Sequence, residues 1–565
     1  MSDNMEAKPY GKLTVDLVAR RLIPLFPWLG AGLVIAAGAA MRVHVLPAVP
    51  LLEFDTRGWL EPAMSWAGGG EFIESCEREW LYAAFLAVCL RVFGSFESIV
   101  WLQMAGGLIG AACLFAAWQR WTSLLPCSVT TRLVAGGGGL FVLAAYVLNP
   151  NLIAFEMAVR PESLLITSGM AIALCLSAYS SERLTQGASW NSVFWGLPIP
   201  LLGGMIATFK PSWALAIPVF GLPLLMGAFG HSGTWATRSL PLLGGCLLAI
   251  LLVVLPEKLL FKKSGDTRLV FPMTLLTIHA DAVVSAMEKR LADGTYPEGE
   301  RDIISSALPV LREDLAKARE NPFNYRRLGF DPDYIMYRAS IFPFLEGRHG
   351  YSRVQLAAFC NQGYLDAWKY EPGLMIGKIL TQLAFIAYPD ARTYSKNRVN
   401  LQSLRQHSLE LAPETAGPQY GGSVPALWTE YRSRLVEASA RPAEIRSWKP
   451  LDQFLRNRMP IALGMVLLTI GFASLSWVAS TLYPLRYAGL LALLYAAIPF
   501  GNALTVAIVH SLDNDRYRMT YGPFVVLALT ASAVLVYAGI ELLIYNVISR
   551  FDKKSNTATL PSSTT

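Results

Sequence analysis

Five short polar clusters interrupt the long apolar runs of this 565-residue chain, and each holds side chains able to do chemistry. The first is Glu53-Phe54-Asp55-Thr56-Arg57-Gly58-Trp59. A carboxylate at a membrane exit can take a proton from a sugar hydroxyl, and a nearby arginine such as Arg57 can grip a phosphate. The same residues also suit a plain interfacial loop with a tryptophan anchor. The second cluster, Glu74-Ser75-Cys76-Glu77-Arg78-Glu79-Trp80-Leu81-Tyr82, leads into an apolar piece too short to span a bilayer. That piece reads as an interfacial helix, with Arg78 at headgroup depth or merely snorkelling. The third runs from Asn149-Pro150-Asn151 through Glu156 to Arg160-Pro161-Glu162. Glu156 is an acid in the apolar stretch IAFEMAV, which makes a functional role the default reading. Arg160 and Glu162 read as an ion pair capping the next span. Lys210, in MIATFKPSW, either binds an anionic phosphate or snorkels. The fifth cluster is His510-Ser511-Leu512-Asp513-Asn514-Asp515-Arg516-Tyr517-Arg518. Its two arginines can hold a phosphate or a glycan carboxylate, and its two aspartates are a weak metal signal. No Gly-rich phosphate loop, HExxH or GxSxG is present.

The elements that must position these clusters follow from composition. The chain is 53% hydrophobic and only 16% charged, against about a quarter charged in soluble domains. Of the 89 Lys, Arg, Asp and Glu residues, 51 lie in the 202 residues 257–458. The chain is therefore two materials: a bilayer-embedded body and a water-facing insert. Apolar runs predict about ten transmembrane helices, near 23–45, 97–118, 133–150, 161–180, 192–209, 211–229, 239–256, 459–480, 486–509 and 519–547. The fold class is all-α and polytopic, with a large, mostly helical, non-cytoplasmic insert. The expected divisions are an N-terminal membrane module (1–256, with a first loop at 46–96), the insert (257–458), C-terminal membrane helices (459–548) and a disordered cytoplasmic tail (549–565). Residues 373–389 are apolar enough to lie on the membrane or against the bundle, and residues 390–425 read as loop.

Lys8, Lys12, Arg20 and Arg21 before the first span, and Arg550, Lys553 and Lys554 after the last, put both termini in the cytoplasm. All five clusters and the insert then emerge on the opposite face. The net charge of +7 is modest and scattered, which does not suggest nucleic-acid binding. Seven cysteines without a CxxC imply neither a disulfide framework nor a zinc site.

The order of the clusters carries a resemblance. FDTRGW followed by REWLYAAFLAVCLRVFG is similar to the first periplasmic loop of the GT-C superfamily of integral-membrane glycosyltransferases. FEMAVRPESLLITS resembles that family's second loop, LLGGMIATFKPSWALAIPVF its fifth helix with a following basic residue, and DNDRYRMTYGPFVVLAL its late Arg-Tyr segment. The likeness covers roughly residues 20–256 and 459–547 and is nearest to bacterial members using polyprenyl-phosphate sugars. Thr56 and Arg57 stand where the family often has a second acid or Gln, and Trp80-Leu81-Tyr82 lacks its usual proline.

The resemblance implies an inverting transfer of a sugar from a polyprenyl-phosphate donor to a hydroxyl of a cell-envelope glycan or glycolipid, at the periplasmic face of a bacterial inner membrane. In that reading Asp55 is the general base, and Glu156 shares or supports its role. Arg57, Arg78, Arg160, Lys210, Arg516, Tyr517 and Arg518 bind the donor phosphate and substrate. No cofactor is required, and a divalent cation is compatible but not implied. The partners are the lipid-linked donor, the acceptor and membrane lipid, with no nucleic acid. The competing readings are a lipid-linked glycan flippase or transporter, and an O-antigen-type ligase or polymerase. A transporter should place charges near mid-span on several helices, and these spans are nearly free of them.

Overall fold

The computed structural model describes residues 25–72, 78–126, 128–264, 268–322, 325–384, 398–417, 419–446, 459–513 and 515–558. Glu74 to Glu77 of the second cluster, the basic residues before the first span and residues 559–565 lie outside them. The N-terminal part contains α1 (Phe26–His44), α2 (Arg57–Ala67), α3 (Trp80–Phe93), α4 (Glu97–Thr122), α5 (Val129–Val147), α6 (Pro150–Met157), α7 (Glu162–Thr185), α8 (Pro198–Phe209), α9 (Ala216–Ala228) and α10 (Trp235–Ala249). The insert holds α11 (Val270–Ile278), α12 (Ala280–Ala292), α13 (Glu298–Glu320), α14 (Pro332–Tyr337), α15 (Ile341–His349), α16 (Arg353–Tyr370), α17 (Pro372–Leu383), β1 (Arg398–Asn400), α18 (Leu401–Leu411), α19 (Val424–Ser439) and β2 (Glu444–Arg446). The C-terminal part is α20 (Met459–Val478), α21 (Arg486–Val509) and α22 (Asp515–Ala558).

Eight of the described helices are long and apolar enough to cross a membrane, among them α1, α4, α5, α7 and α21. The expected all-α, many-span architecture is therefore present, with about ten spans expected and eight counted among the described residues. The region expected as span 211–229 is α9, only 13 residues long. At 1.5 Å per residue that covers about 20 Å, short of a ~30 Å hydrocarbon core. Lys210-Pro211 delays its start, because proline lacks the N–H that would continue the preceding helix. The apolar helix expected at 459–480 is present as α20, but its described side chains cover only Val466–Val478. The helix expected to end at 256 runs on through a π-helical turn, Ile250–Val254, into Leu255–Ser264. The bundle interior is closed by Trp118, Trp121, Trp213, Tyr495 and Phe524, all fully buried, while Leu251, Leu252 and Trp235 face outward.

The insert is helical as expected, but it is two bodies of packing. Residues between Leu276 and Met375 form a core of their own, built on Val283, Leu311, Ile335, Leu345 and Cys360. From Val399 onward the apolar residues join cores of the membrane body instead. Val399, Leu401 and Ile445 pack with Val45, Leu51, Val100 and Met157, and Trp428, Tyr431 and Leu435 belong to the main bundle core. The loop expected over 390–425 is corrected by β1, paired antiparallel with β2, and by α18. Leu401 and Arg405 are buried faces of that helix, so its apolar periodicity is satisfied by long-range partners rather than local ones. Likewise the chain expected as tail remains helical as far as Ala558.

Candidate functional site

Three chain segments form the centre of the site, and Lys210, at the end of α8, joins them. The first loop places Glu53 and Asp55 on a short 3-10 turn, Phe54–Thr56, held by Glu53 N–H donating to Thr56 Oγ1 at 2.8 Å. The second loop is bonded to the first as a parallel bridge: Leu51 N–H donates to Met157 O at 2.8 Å and Val159 N–H to Leu51 O at 2.9 Å. Asn149 caps α6 through its side chain and Pro150 fills its first turn, where a missing N–H costs nothing. This bridge carries Arg160 to Glu53, at 2.6 Å, and within 3.6 Å of Asp55. The third segment is the start of α22, which delivers Arg516.

Asp55 is the hub. Its Oδ1 accepts from Arg78 at 2.8 Å and its Oδ2 from Arg516 at 2.5 Å. Arg516 also approaches Glu162 at 3.5 Å, and Glu162 is bonded to Lys210 at 2.9 Å. Lys210 lies over the ring of Tyr517 at 4.5 Å, and Arg78 over Trp59 at 4.9 Å. Three carboxylates and four cations thus share one cluster at the ends of spans, and Asp55 keeps 28% of its side chain accessible. Buried Arg78 Nε, Arg160 Nε and Glu162 Oε2 have no hydrogen-bond partner among the described residues. Buried polar atoms are nearly always paired, so the two Nε groups are open donors and Glu162 Oε2 an open acceptor.

The electrostatics are uneven. Burial alone would raise Asp55, but Arg516, Arg78 and Arg160 outweigh it and hold the carboxyl below its usual value. Glu53 moves the other way: burial pushes its carboxyl up against the pull of Arg160. Above the cluster the insert contributes Tyr325, whose hydroxyl donates to Asp333 Oδ2 at 3.1 Å. Burial raises Asp333, and the negative charge of Asp55 adds to the effect. The backbone N–H groups of Arg327 and Leu328 donate to Asp513 at 3.3 and 3.2 Å, fastening insert to bundle. Among the described residues no three metal-ligating side chains form a group.

Asp55, Arg78, Arg160, Lys210, Arg516 and Tyr517 are therefore brought together, as the sequence reading grouped them. Three candidates are not. Arg57 is 77% exposed and pairs with Glu61 one turn along α2. Arg518 is buried, but two residues past Arg516 it projects from nearly the opposite side of α22. Glu156 is buried in a separate pair with Arg42, at 2.7 and 2.5 Å. Gln103 donates to the carbonyls of Glu156 and Ala158 on the same side of α4. Glu156 therefore shapes the second loop, with Arg42 and not Asp55 beside its carboxylate.

Sequence reasoning missed Glu53, Arg42 and the central place of Glu162. Arg42 had a signal, since it is a cation inside the first apolar run and Glu156 the acid in another. Glu162 is expected to pair with Arg160 in capping the next span, but its bonded partner is Lys210.

No protein-family model matches the chain, and no curated protein is similar to it in sequence at a significant level. Among solved structures it is similar to that of ArnT from Cupriavidus metallidurans bound to undecaprenyl phosphate. That likeness covers 85% of this chain and 77% of the other, at 13% identity and a TM-score of 0.32.

Proposed function

We propose that this protein is an inverting glycosyltransferase that takes a sugar from a polyprenyl-phosphate donor and moves it to a hydroxyl of a cell-envelope glycan or glycolipid. The observation that carries the reading is the Asp55 cluster: an acid ringed by cations with unused donors, at the ends of membrane spans and beneath a large insert. A monophosphate leaving group needs cations as its charge develops, and Arg78, Arg160, Arg516 and Lys210 supply them.

The ion pairs suggest how the acid is activated. Guanidinium groups bound to Asp55 lower its proton affinity, so in the resting state it is a poor base. A donor phosphate entering the cluster takes over those arginines, and the released carboxylate regains proton affinity. It then accepts the proton of the acceptor hydroxyl as that oxygen attacks the anomeric carbon. The bond from that carbon to the phosphate oxygen breaks with inversion, and the lipid phosphate departs. Glu53, already raised by burial, stands next to this path as a second proton acceptor.

The test is Asp55→Asn, with the cell-envelope glycan profiled by mass spectrometry at matched protein levels. Loss of one glycan decoration is expected. An unchanged profile removes Asp55 as the base. A transporter would instead need ionisable groups along its spans, whereas Arg42 lies in the last turn of α1 and Glu162 in the first turn of α7.

A further inference from the structure

Helix α17 is built inside out for a water-facing domain. Its outward positions are Gly373, Leu374, Ile376, Gly377, Leu380 and Thr381, none of them charged. Leu374, Ile376 and Leu380 are 45%, 49% and 61% exposed. Its ionisable side chain, Lys378, points inward instead. Other helices of the insert do the reverse: α13 exposes Arg301, Asp302, Arg312, Glu313, Lys317 and Glu320 around a buried apolar face. An exposed apolar stripe beside a hidden charge means the surrounding medium there is not water.

The inward face fixes where the helix lies. Lys378 Nζ donates to Ala507 O at 2.7 Å and His510 O at 2.5 Å, the last carbonyls of the membrane span α21. One turn on, Gln382 accepts from Leu512 N–H at 2.6 Å and from Ser511 at 3.1 Å, and donates to Asp513 at 3.3 Å. The helix is thus bolted to the end of a span, at the level where that span leaves the bilayer.

We infer that the Leu374, Ile376 and Leu380 face of α17 is embedded in the acyl border of the leaflet on the insert's side. Its occupant is membrane lipid. The helix is a lateral anchor that fixes the depth of the 510–513 loop, and hence of Arg516 three residues beyond it. Interfacial helices of this kind sink their apolar face about 5–10 Å into the headgroup boundary. The inference is independent of the transfer reaction.

The experiment uses the unmodified full-length chain in lipid nanodiscs, footprinted twice. Hydroxyl radicals label from the water phase, and a bilayer-partitioned diazirine labels from the lipid phase. Leu468 on α20, exposed on a membrane helix, is the lipid reference. Leu365 on α16, exposed beside Asn361, Gln362 and Lys369, is the aqueous one. Leu374, Ile376 and Leu380 are expected to match Leu468: labelled by the diazirine and protected from radicals. Radical labelling at the level of Leu365 overturns the inference by exposing the face to water. Protection from both reagents overturns it too, since protein would then cover the face.

Discussion

Arg516 donates to Asp55 at 2.5 Å across 461 residues of chain. The pair joins the first external loop to the start of the last helix, and Arg160 from the second loop closes the triangle at 3.6 Å. In the proposed reaction this resting-state ion pair is a stand-in, the carboxylate holding the arginines that the donor phosphate would take over.

Asp55→Asn is expected to abolish proton acceptance and lower transfer by about 10²–10⁴-fold, the usual worth of a positioned base. The amide oxygen can accept from one of the two arginines, Arg78 or Arg516, while its NH2 faces the other, so folding must be measured beside activity. Turnover of a lipid-phosphate sugar in nanodiscs, run beside thermal unfolding, separates the two. Retained turnover would leave Glu53 as the base.

The two neighbouring carboxyls have opposite pH signatures. Asp55 is lowered, so its native pairing stabilises fully above its unfolded value of about 3.9 and is lost as pH falls through the lower folded value. Glu53 is raised, so the native state holds its proton longer, and stability declines as pH rises from about 4.3 through the raised value. Thermal melts against pH should lose the acid limb in Asp55→Asn and the rising-pH decline in Glu53→Gln. A wild-type melt profile in both variants would contradict the assigned shifts.

Arg42 and Glu156 are predicted to be structural. Arg42→Met leaves Glu156 buried with no counter-ion, and breaking one side of a buried pair costs about 3–5 kcal/mol. Gly107→Ala attacks the same pair sterically, since a Cβ there would meet Glu156 Oε1 at 1.9 Å. Both variants should lower the unfolding temperature, and any correctly folded fraction should keep normal turnover. A stable but inactive Arg42→Met protein would restore a direct role for Glu156.

Arg57 and Arg78 form a contrast of two arginines flanking the same site. Arg57→Ala removes an exposed i,i+4 pair worth about 0.3–0.5 kcal/mol and should leave donor affinity unchanged. Arg78→Ala removes a bond to Asp55 and the stacking on Trp59, and should raise KM for the donor. Equal effects of the two changes would argue against this division.

Asp513 accepts from the insert's backbone at two consecutive N–H groups. Asp513→Ala should loosen the insert over the site while the bundle stays intact. Hydrogen exchange is expected to speed up around residues 325–337 and to remain unchanged in α4 and α7. Uniform exchange across the chain would mean that other contacts seat the insert.

Much of the fold and part of the site were legible in the sequence. Composition separates the two materials because a bilayer tolerates few charges, and the external clusters follow from the order of the spans. Asp55 and Arg516 were grouped because their residue types and common membrane face allowed it, although no local pattern encodes their contact. Glu156 misled because an acid in an apolar run signals a buried partner without saying whether that partner is substrate or Arg42. Arg57 misled because adjacency in sequence was taken for adjacency in space, while the first turn of α2 turns it toward Glu61. Val399, Leu401 and Ile445 were illegible as core, since their bundle partners, from Val45 to Ala158, lie far earlier in the chain.

That last feature governs the order in which the molecule can be made. The stretch around Leu276 to Met375 closes on its own core and can fold as soon as it is made. The stretch from Val399 to Ile445 has only the short β1–β2 pairing and a few local contacts, and completes its core on surfaces from the first 160 residues. Synthesis at about 5–20 residues per second separates the two by tens of seconds. During that interval the early surfaces stay open, and a chaperone or neighbouring membrane protein can compete for them.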